Sequence, residues 1–388
     1  MKILIIANGY PDRRSPQWGC FERDQALALR DLGHDVSIMY VDRRFRTYWR
    51  KMGFYQFTDK SIPIFGSFIC PGKILRKFLS ERHYEKVVMW MYDHLFNLYL
   101  KHNGKPDIIY AHYLYNIFYA TTLQGKYDVP LVGIEHWSVL TQNELSSKQS
   151  QWGNIAYHNV DKLLAVSQSL KGHIYRHFGK ESSVVYDMLG QEFVSTPIPT
   201  KTDDKTFRFI TVGSLLPIKC YDLLISAFTK FHAIYPESAL VLVGGGPEQQ
   251  NLQHKIEELH LTEVVQLVGR KNKQEVISYL SSSHVYVLSS QNETFGVACI
   301  EGLSMGVPCI ATRCGGPDEF VNKKNGLLIP PNDVDALATA MQTMYDHYTQ
   351  YDSKAIAEDC RKRFSPQVIA QQLTDIFEEV ITNHKHQI

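Results

Sequence analysis

Short apolar runs alternate with longer helical stretches along this chain of 388 residues, and this alternation constrains the fold more than any other feature. The runs are rich in Val, Ile and Leu, which is typical of strands that are buried on both faces. Strands that alternate with helices form parallel sheets with right-handed crossovers. The sequence therefore predicts an α/β protein with doubly wound sheets, whose strands we place at 2–6, 35–41, 108–110, 131–134, 162–166, 207–212, 239–243, 264–268, 285–289 and 309–312.

The chain is too long for one compact core, so two domains are expected. Residues 196–206 (TPIPTKTDDKT) lack apolar periodicity and are rich in Pro, Thr and charge, which indicates a linker. Ser365 and Pro366 are a good N-cap and first residue for a last helix. We predict an N-terminal domain over 1–200, a C-terminal domain over 201–365 and a terminal helix over 366–388.

The composition is ordinary for a globular protein, at 44% hydrophobic and 21% charged residues. No apolar run is long enough to span a bilayer or to form a signal-peptide core, so we expect a cytoplasmic protein. The seven cysteines are scattered without C-x-x-C spacing, which indicates neither a disulfide framework nor a zinc site. The net charge of +1 gives no reason to expect nucleic-acid binding.

Positive charge is concentrated in the first half of the chain. Residues 42–90 hold 11 basic and 4 acidic residues, and the segment 43–55 interleaves cations with aromatic rings. Such a segment favours contact with an anionic membrane surface. The protein would then be peripheral on the inner face of the cell membrane. A solvated loop is an alternative.

Glu293 and Glu301 bracket the segment ETFGVACIE, which follows a predicted strand and a short polar loop. The helical pattern begins at Phe295 and stops at Gly306. A helix that starts at the carboxyl edge of a parallel sheet presents free N–H groups and a positive dipole end to an anion, and Gly296 allows a ligand to approach closely. The segment therefore predicts a phosphate site, with a carboxylate at Glu301 that suits ribose hydroxyls.

A simpler interpretation of the same segment stays open on spacing alone. Asn292 or Thr294 could cap the helix while Glu293 complements its dipole, and Glu301 could be a solvated helix position.

Lys219 ends the loop after the predicted strand 207–212, immediately before a predicted helix. A cation at a helix N-terminus opposes the dipole by up to about 1 kcal/mol, so it suggests an anionic partner such as a diphosphate. An exposed lysine that points into water is the alternative. The glycines at 244–246 resemble a dinucleotide fingerprint, but Gln249 replaces its third glycine and the strand is internal, so a nicotinamide or flavin enzyme is disfavoured.

The stretch 289–321 (SSQNETFGVACIEGLSMGVPCIATRCGGPDEFV) resembles the signature of retaining GT-B glycosyltransferases of family 4, with the family's E-x7-E motif at Glu293 and Glu301. The resemblance extends over nearly the whole chain. It implies a GT-B fold, in which two Rossmann-like domains with parallel sheets face each other across a cleft, and a terminal helix that crosses back. The other motifs that occur in the family's order are at 19–34, 165–167, 212–219, 243–248 and 268–270.

The resemblance also implies that the C-terminal domain holds the nucleotide-sugar donor and the N-terminal domain the acceptor. In the family, the residues matching Glu301, Glu293 and Lys219 bind the ribose, the transferred sugar and the diphosphate. His136 matches a histidine near the anomeric carbon of the donor sugar, and His112 is expected on the acceptor side. A structural histidine is the alternative for both. We predict catalytic roles for Glu293, His136 and Lys219, and donor binding by Glu301, Lys219, Gly19, Gly213, Ser214, Gly245, Arg270, Thr294, Phe295, Gly296 and Val297.

Three positions depart from the family's pattern. Ser214 stands where many members have an arginine, which removes one bidentate contact with the diphosphate. Cys220 replaces the usual glycine after the lysine, and residues 187–190 (DMLG) replace a loop that usually contains Asn. These departures bear on donor affinity more than on the class of reaction.

The family needs neither a metal nor another cofactor, because helix N-termini and cations stabilise the departing nucleoside diphosphate. Retention is thought to proceed by same-face displacement, in which the leaving phosphate oxygen takes the proton of the acceptor. An inverting reaction would need a base, for which Glu135 and His136 are the local candidates.

The expected reaction moves a hexosyl or N-acetylhexosaminyl group from a nucleotide sugar, with a UDP-sugar favoured over GDP-mannose, for surface polysaccharide. The expected acceptor is a saccharide or a polyprenyl-diphosphate-linked saccharide. A lipid-linked acceptor would be presented at the membrane surface that residues 43–55 would contact; the alternative is that this segment is a solvated or acceptor-binding loop. Two alternatives are a UDP-sugar 2-epimerase on the same scaffold and a binding protein without activity.

Overall fold

The computed structural model describes residues 1–15, 17–44, 53–68, 80–199 and 205–386. The chain divides into two compact units, which are Met1–Tyr186 with Pro366–Ile388 and Asp187–Ser365. The border between them lies before the predicted border at residue 200, and residues 200–204 of the predicted linker lie outside the described part. Among the described residues, no helix is both long and apolar enough to cross a bilayer.

The first unit is built on a sheet of eight described strands in the order β3-β4-β2-β1-β5-β6-β7-β8, parallel except for the β3–β4 pair. Helices follow most of the parallel strands, as the alternation in the sequence predicts. The elements are β1 (Lys2–Ala7), α1 (Cys20–Asp31), β2 (Asp35–Asp42), β3 (Gly53–Asp59), β4 (Ile62–Phe68), α2 (Glu81–Asn103), β5 (Ile108–His112), α3 (Leu114–Tyr127), β6 (Leu131–Glu135), α4 (Ser147–Asn159), β7 (Lys162–Ala165), α5 (Gln168–Phe178) and β8 (Ser183–Val184).

The β3–β4 hairpin was not predicted from the sequence. Its two-residue turn has Lys60 at φ 47° and Ser61 at φ 67°, and such turns normally use Asn-Gly because both residues need positive φ. The last residues of the basic segment 43–55, residues 53–55, belong to β3. Residues 45–52 of that segment lie outside the described part of the chain.

The second unit contains a parallel sheet of six described strands in the order β11-β10-β9-β12-β13-β14. Its predicted strands occur within one or two residues of their expected bounds, and β14 was not predicted. The elements are α6 (Gln191–Ser195), β9 (Phe207–Val212), α7 (Tyr221–His232), β10 (Ser238–Val243), α8 (Gln249–Glu258), β11 (Val265–Gly269), α9 (Lys273–Ser281), β12 (Val285–Leu288), α10 (Val297–Ser304), β13 (Cys309–Thr312), β14 (Gly326–Ile329), α11 (Val334–Asp346) and α12 (Ser353–Phe364). The prediction of two parallel-sheet Rossmann-like domains is confirmed.

Each sheet has a point where the strand order reverses, and in open α/β sheets ligands bind outside the carboxyl ends of the strands at this point. The reversal lies between β1 and β5 in the first unit and between β9 and β12 in the second. The loops that leave these four strands are therefore where a site is expected.

The last helix, α13 (Pro366–His386), belongs to the first unit and packs against α1. The ring of Phe377 is fully buried and lies 5.0 Å from the ring of Tyr110 on β5. The side chain of Thr374 is 2.9 Å from Nε2 of His34. The helix thus completes the core of this unit.

The packing of α13 predicts the effect of Phe377→Ala. Removing this ring should lower the free energy of unfolding of the first unit by about 3–5 kcal/mol, because a buried aromatic leaves a cavity. Urea denaturation measures this change, and Asn383→Ala on the exposed part of α13 is the matched control. Equal stability of the two variants would contradict the packing described.

Candidate functional site

Two loops meet at the reversal point of the second sheet. The loop after β9 ends in a short 3₁₀ turn, Pro217–Lys219, and the loop after β12 leads into α10. The hydroxyl of Ser289 donates to the carbonyl of Lys219 at 2.8 Å, and the N–H of Gln291 donates to the carbonyl of Ile218 at 2.9 Å. These bonds fix the position of Lys219 relative to the loop after β12.

The side chains of Lys219 and Glu293 form an ion pair, with 2.5 Å between Nζ and Oε1. The hydroxyl of Ser290 donates to the same carboxylate oxygen at 2.8 Å. The backbone of Glu293 bonds to Cys314 and Gly316 after β13, both at 3.0 Å. The side chains of Lys219 and Glu293 are 24% and 14% exposed, so a ligand can reach this partly desolvated pair.

The helix α10 begins at Val297, two residues later than predicted. Its N-cap is Gly296, at φ 104°, a conformation that favours glycine. Neither Asn292 nor Thr294 caps this helix, so the capping interpretation of the segment is wrong. The first N–H groups of a helix have no intrahelical partner, and here they lie at the carboxyl edge of the sheet.

Phe295 and Glu301 flank this helix start in different ways. Phe295 is 1% exposed, and its ring packs on Phe320 and Phe364 at centroid distances of 5.4 and 5.5 Å. Its predicted contact with a ligand can therefore come only from its backbone. Glu301 is partly exposed in the second turn of α10.

Close backbone contacts explain the glycines next to this loop. A Cβ on Gly244 would lie 1.8 Å from the carbonyl oxygen of Gly213, and a Cβ on Gly246 would lie 2.4 Å from that of Leu215. Arg270 donates to the carbonyl of Gly245 at 3.2 Å. The glycines at 244–246 thus allow neighbouring loops to pack closely. This packing explains why glycine occurs here without a dinucleotide-binding role.

Ser214 and Cys220, which depart from the family's pattern, both lie between β9 and α7. Ser214 is exposed between β9 and the 3₁₀ turn. Cys220 is buried at φ 50° and ψ 44°, a left-handed conformation that is unfavourable for residues other than glycine. The backbone therefore keeps the shape that a glycine would give it.

In the first unit, Gly19 is the N-cap of α1 at φ 76°. A Cβ at this position would lie 2.3 Å from the carbonyl oxygen of Gly9, so the backbone contact requires glycine with or without a ligand. Glu22 in the first turn of α1 is 2% exposed and accepts a hydrogen bond from the N–H of Asn8 at 3.1 Å. Glu22 was not predicted as a site residue, although an acidic residue in a first helical turn is a recognisable signal.

The two predicted histidines of the first unit form a pair. Nδ1 of His112 is 3.2 Å from Nε2 of His136, and the rings are stacked with an interplanar angle of 4°. His112 is fully buried, so any role on the acceptor side would act through His136. Burial, and to a smaller extent the neighbouring imidazole, holds the pKa of His112 well below its ordinary value.

The hydrogen-bond network indicates which nitrogen of each ring carries the proton. Nε2 of His112 is buried without a partner among the described residues. A buried N–H without an acceptor costs free energy, so Nε2 of His112 is expected to carry no proton. His112 then donates from Nδ1 to Nε2 of His136, which leaves the proton of a neutral His136 on its Nδ1.

Glu135 is not available as a base in this arrangement. Its carboxylate accepts hydrogen bonds from the N–H groups of His136 and Trp137, at 2.9 and 2.8 Å, and from the hydroxyl of Tyr157 at 2.6 Å. The side chain is fully buried, and burial raises the pKa of its carboxyl despite these bonds. Glu135 therefore holds the loop that carries His136 and Trp137.

The other predicted site residues stay predictions. In the second unit, the structure brings Lys219, Glu293 and the start of α10 together, and it places Arg270 beside Gly245. In the first unit, it brings His112 and His136 together.

Comparisons with known proteins match the chain to two family models. The family described as Glycosyltransferase Family 4 matches residues 23–187, and the family described as Glycosyl transferases group 1 matches residues 196–362. An uncharacterized glycosyltransferase of Haemophilus influenzae is 23% identical over 344 residues, which cover 85% of this chain and 88% of that protein.

Two solved structures share the fold. Sucrose-phosphate synthase from Thermosynechococcus elongatus superimposes with a TM-score of 0.79 at 18% identity, covering 98% of this chain and 99% of that chain. Anabaena HepE in complex with UDP superimposes with a TM-score of 0.74 at 19% identity, covering 98% and 100%.

The histidine pair predicts how His112 titrates. Burial, and less strongly the neighbouring imidazole of His136, holds the pKa of His112 well below its ordinary value. We therefore expect His112 to stay neutral at pH values where a histidine of an unfolded chain, with a pKa of about 6.5, becomes protonated. Histidine NMR titration measures this.

His112→Asn is the matched variant, since its amide N–H can replace the Nδ1 donor to His136 without a titrating ring, and it identifies the NMR signals of His112. An ordinary pKa for His112 in the wild-type protein would refute the assigned tautomers.

Proposed function

This chain belongs to the GT-B glycosyltransferases of family 4, and from that premise we propose that it is a retaining, metal-independent hexosyl or N-acetylhexosaminyl transferase. The donor is a nucleotide sugar, with a UDP-sugar favoured over GDP-mannose. The acceptor is a saccharide or a polyprenyl-diphosphate-linked saccharide used for surface polysaccharide. The UDP bound by Anabaena HepE, a protein of the same fold, supports the preference for uridine.

The observation that carries this proposal is the grouping of Lys219, Glu293 and the start of α10 at one reversal point. A diphosphate placed there meets a cation and helix N–H groups, both of which stabilise the negative charge that develops on the leaving group. The diphosphate competes with Glu293 for Lys219, because it carries more charge than one carboxylate. Glu293 then accepts hydrogen bonds from hydroxyls of the transferred sugar.

The first unit supports a reaction without a side-chain base. The carboxylate of Glu135 accepts three hydrogen bonds and is fully buried. Nε2 of His136 is engaged by His112. The acceptor proton would pass instead to the leaving phosphate oxygen, on the face from which the diphosphate departs. This route retains the anomeric configuration, which NMR of the product would show.

Peripheral membrane contact through residues 43–55 remains part of the proposal. In the described part of this segment, Arg44 is paired with Asp42 at 2.9 Å and lies over the ring of Trp18. Arg43 lies over the rings of Tyr115 and Tyr119. These two cations are held against the unit, so any membrane attraction would depend more on the other residues of the segment.

The site predicts different effects for its two carboxylates. Glu301→Gln should weaken UDP binding about ten- to a hundred-fold, because charge-assisted hydrogen bonds to the ribose are lost. Glu293→Gln should lower turnover at least about a hundred-fold, because its contacts are to the transferred sugar. It should not weaken UDP binding, because the diphosphate no longer competes with a carboxylate for Lys219. Calorimetry with UDP and assays of sugar transfer measure these effects.

Glu263→Gln, on an exposed loop of the second unit, is the matched control and should change neither quantity. Equal loss of both quantities in the two site variants, with lower melting temperatures, would mean that the carboxylates are only structural.

The donor preference can be tested by thermal stabilisation with a panel of UDP- and GDP-sugars. A ligand at a hundred times its Kd stabilises the folded protein by about 2.7 kcal/mol. We expect a UDP-sugar to raise the melting temperature most. If no nucleotide sugar raises the melting temperature and the protein hydrolyses none of them, the proposed function is contradicted.

A further inference from the structure

A cluster of aromatic rings lies at the carboxyl edge of the sheet in the first unit. The rings of Tyr115 and Trp137 are 5.1 Å apart, and Tyr115 is 5.2 Å from Trp152 in an edge-to-face arrangement. Trp152 is 5% exposed and stacks on Phe118 at 4.3 Å. Trp152 and Phe118 thus form a buried floor, while Tyr115 and Trp137 remain partly exposed above it.

The chain fixes the two exposed rings next to the histidine pair. Tyr115 is in the first turn of α3, after β5, and Trp137 follows β6, which pairs with β5. The N–H of Trp137 is held by the buried carboxylate of Glu135 at 2.8 Å. The rings of Tyr113 and His136 lie 5.1 Å apart.

The backbone at this edge is strained. Tyr113 has φ 68° and ψ 145°, a combination that is almost restricted to glycine. Such outliers persist where the surrounding structure imposes them, and they concentrate at ligand sites. Here the strained residue connects β5 to α3, directly before Tyr115.

Arg43 adds a positive charge to this cluster. Its guanidinium carbon lies 5.5 Å from the ring centre of Tyr115 and 5.2 Å from that of Tyr119. No carboxylate within the described ranges is in ion-pair distance of Arg43, whereas its neighbour Arg44 is paired with Asp42. A partly desolvated cation without a counter-charge favours an anionic ligand.

We propose that Tyr115, Trp137 and Arg43 form a subsite for a pyranose ring that carries an anionic group, either a phosphate or a carboxylate. The apolar face of the sugar packs on the two rings, and the guanidinium binds the anion. This inference rests on the proposed function and specifies its acceptor, which either a sugar phosphate or a uronic acid could supply.

The inference can be tested by binding alone, without a donor sugar. The probes are methyl glucoside, glucose 1-phosphate, methyl glucuronide and inorganic phosphate, with binding followed by tryptophan fluorescence and saturation-transfer NMR. We expect at least one anionic sugar to bind about ten- to a hundred-fold more tightly than methyl glucoside. The probe that wins distinguishes a phosphate from a carboxylate.

Arg43→Gln should abolish this preference and leave the weak binding of methyl glucoside unchanged. Trp137→Leu and Tyr115→Leu should weaken the binding of every sugar, but they should leave UDP affinity unchanged. The matched controls are Arg176→Gln and Tyr175→Leu on the exposed face of α5. If Trp137→Leu melts early, Trp137→Phe, which keeps a ring, should retain part of the sugar affinity.

Equal binding of neutral and anionic sugars, a preference that survives in Arg43→Gln, or sugar affinity that survives in Trp137→Leu would overturn the subsite. Binding of inorganic phosphate as tightly as of the sugar phosphate would show that the rings contribute nothing, which also overturns it. Since UDP binding is measured in the same variants, a failure of the subsite is distinguishable from a failure of the proposed function.

Discussion

The parallel pairing of β9 with β12 is the constraint on which the second unit depends. Val285 and Tyr286 pair with Phe209 and Ile210, so both strands end at the same edge, although 74 residues separate Lys219 from Glu293. The following helices leave on opposite sides of this pair of strands, as at any reversal of strand order. The two loops are thereby left facing each other, and the ion pair and the helix start come together in one place.

In both units, charged side chains of the candidate site are paired with an opposite charge or held by hydrogen-bond donors. In the second unit, the charge of Lys219 is balanced by Glu293, and a diphosphate can replace that carboxylate as its partner. In the first unit, Glu135 accepts three hydrogen bonds, and burial holds the pKa of His112 well below its ordinary value. The negative charge that develops in the proposed reaction therefore lies on the diphosphate of the donor. The protein stabilises this charge with Lys219 and the N–H groups at the start of α10.

Sequence reasoning succeeded where a local pattern has one physical meaning and failed where it has several. Buried parallel strands were located well, because continuous apolar runs have few other uses. The start of α10 was predicted two residues early, because Phe295 fits an apolar helical pattern but fills a core between Phe320 and Phe364. The β3–β4 hairpin was not predicted, because its turn uses residues that rarely adopt positive φ. Only the three-dimensional packing distinguishes these cases.

The sequence by itself determined the α/β class, the two Rossmann-like domains and the membership in a glycosyltransferase family, since these follow from periodicity and from short motifs that are local in the chain. The tertiary structure decided which side chains act together. It joined His112 to His136, buried Glu135 under three donors and set Arg43 over Tyr115. Apart from the two backbone donors next to Glu135, these contacts connect residues on different elements, and their distances depend on how the fold aligns those elements, which no local pattern encodes.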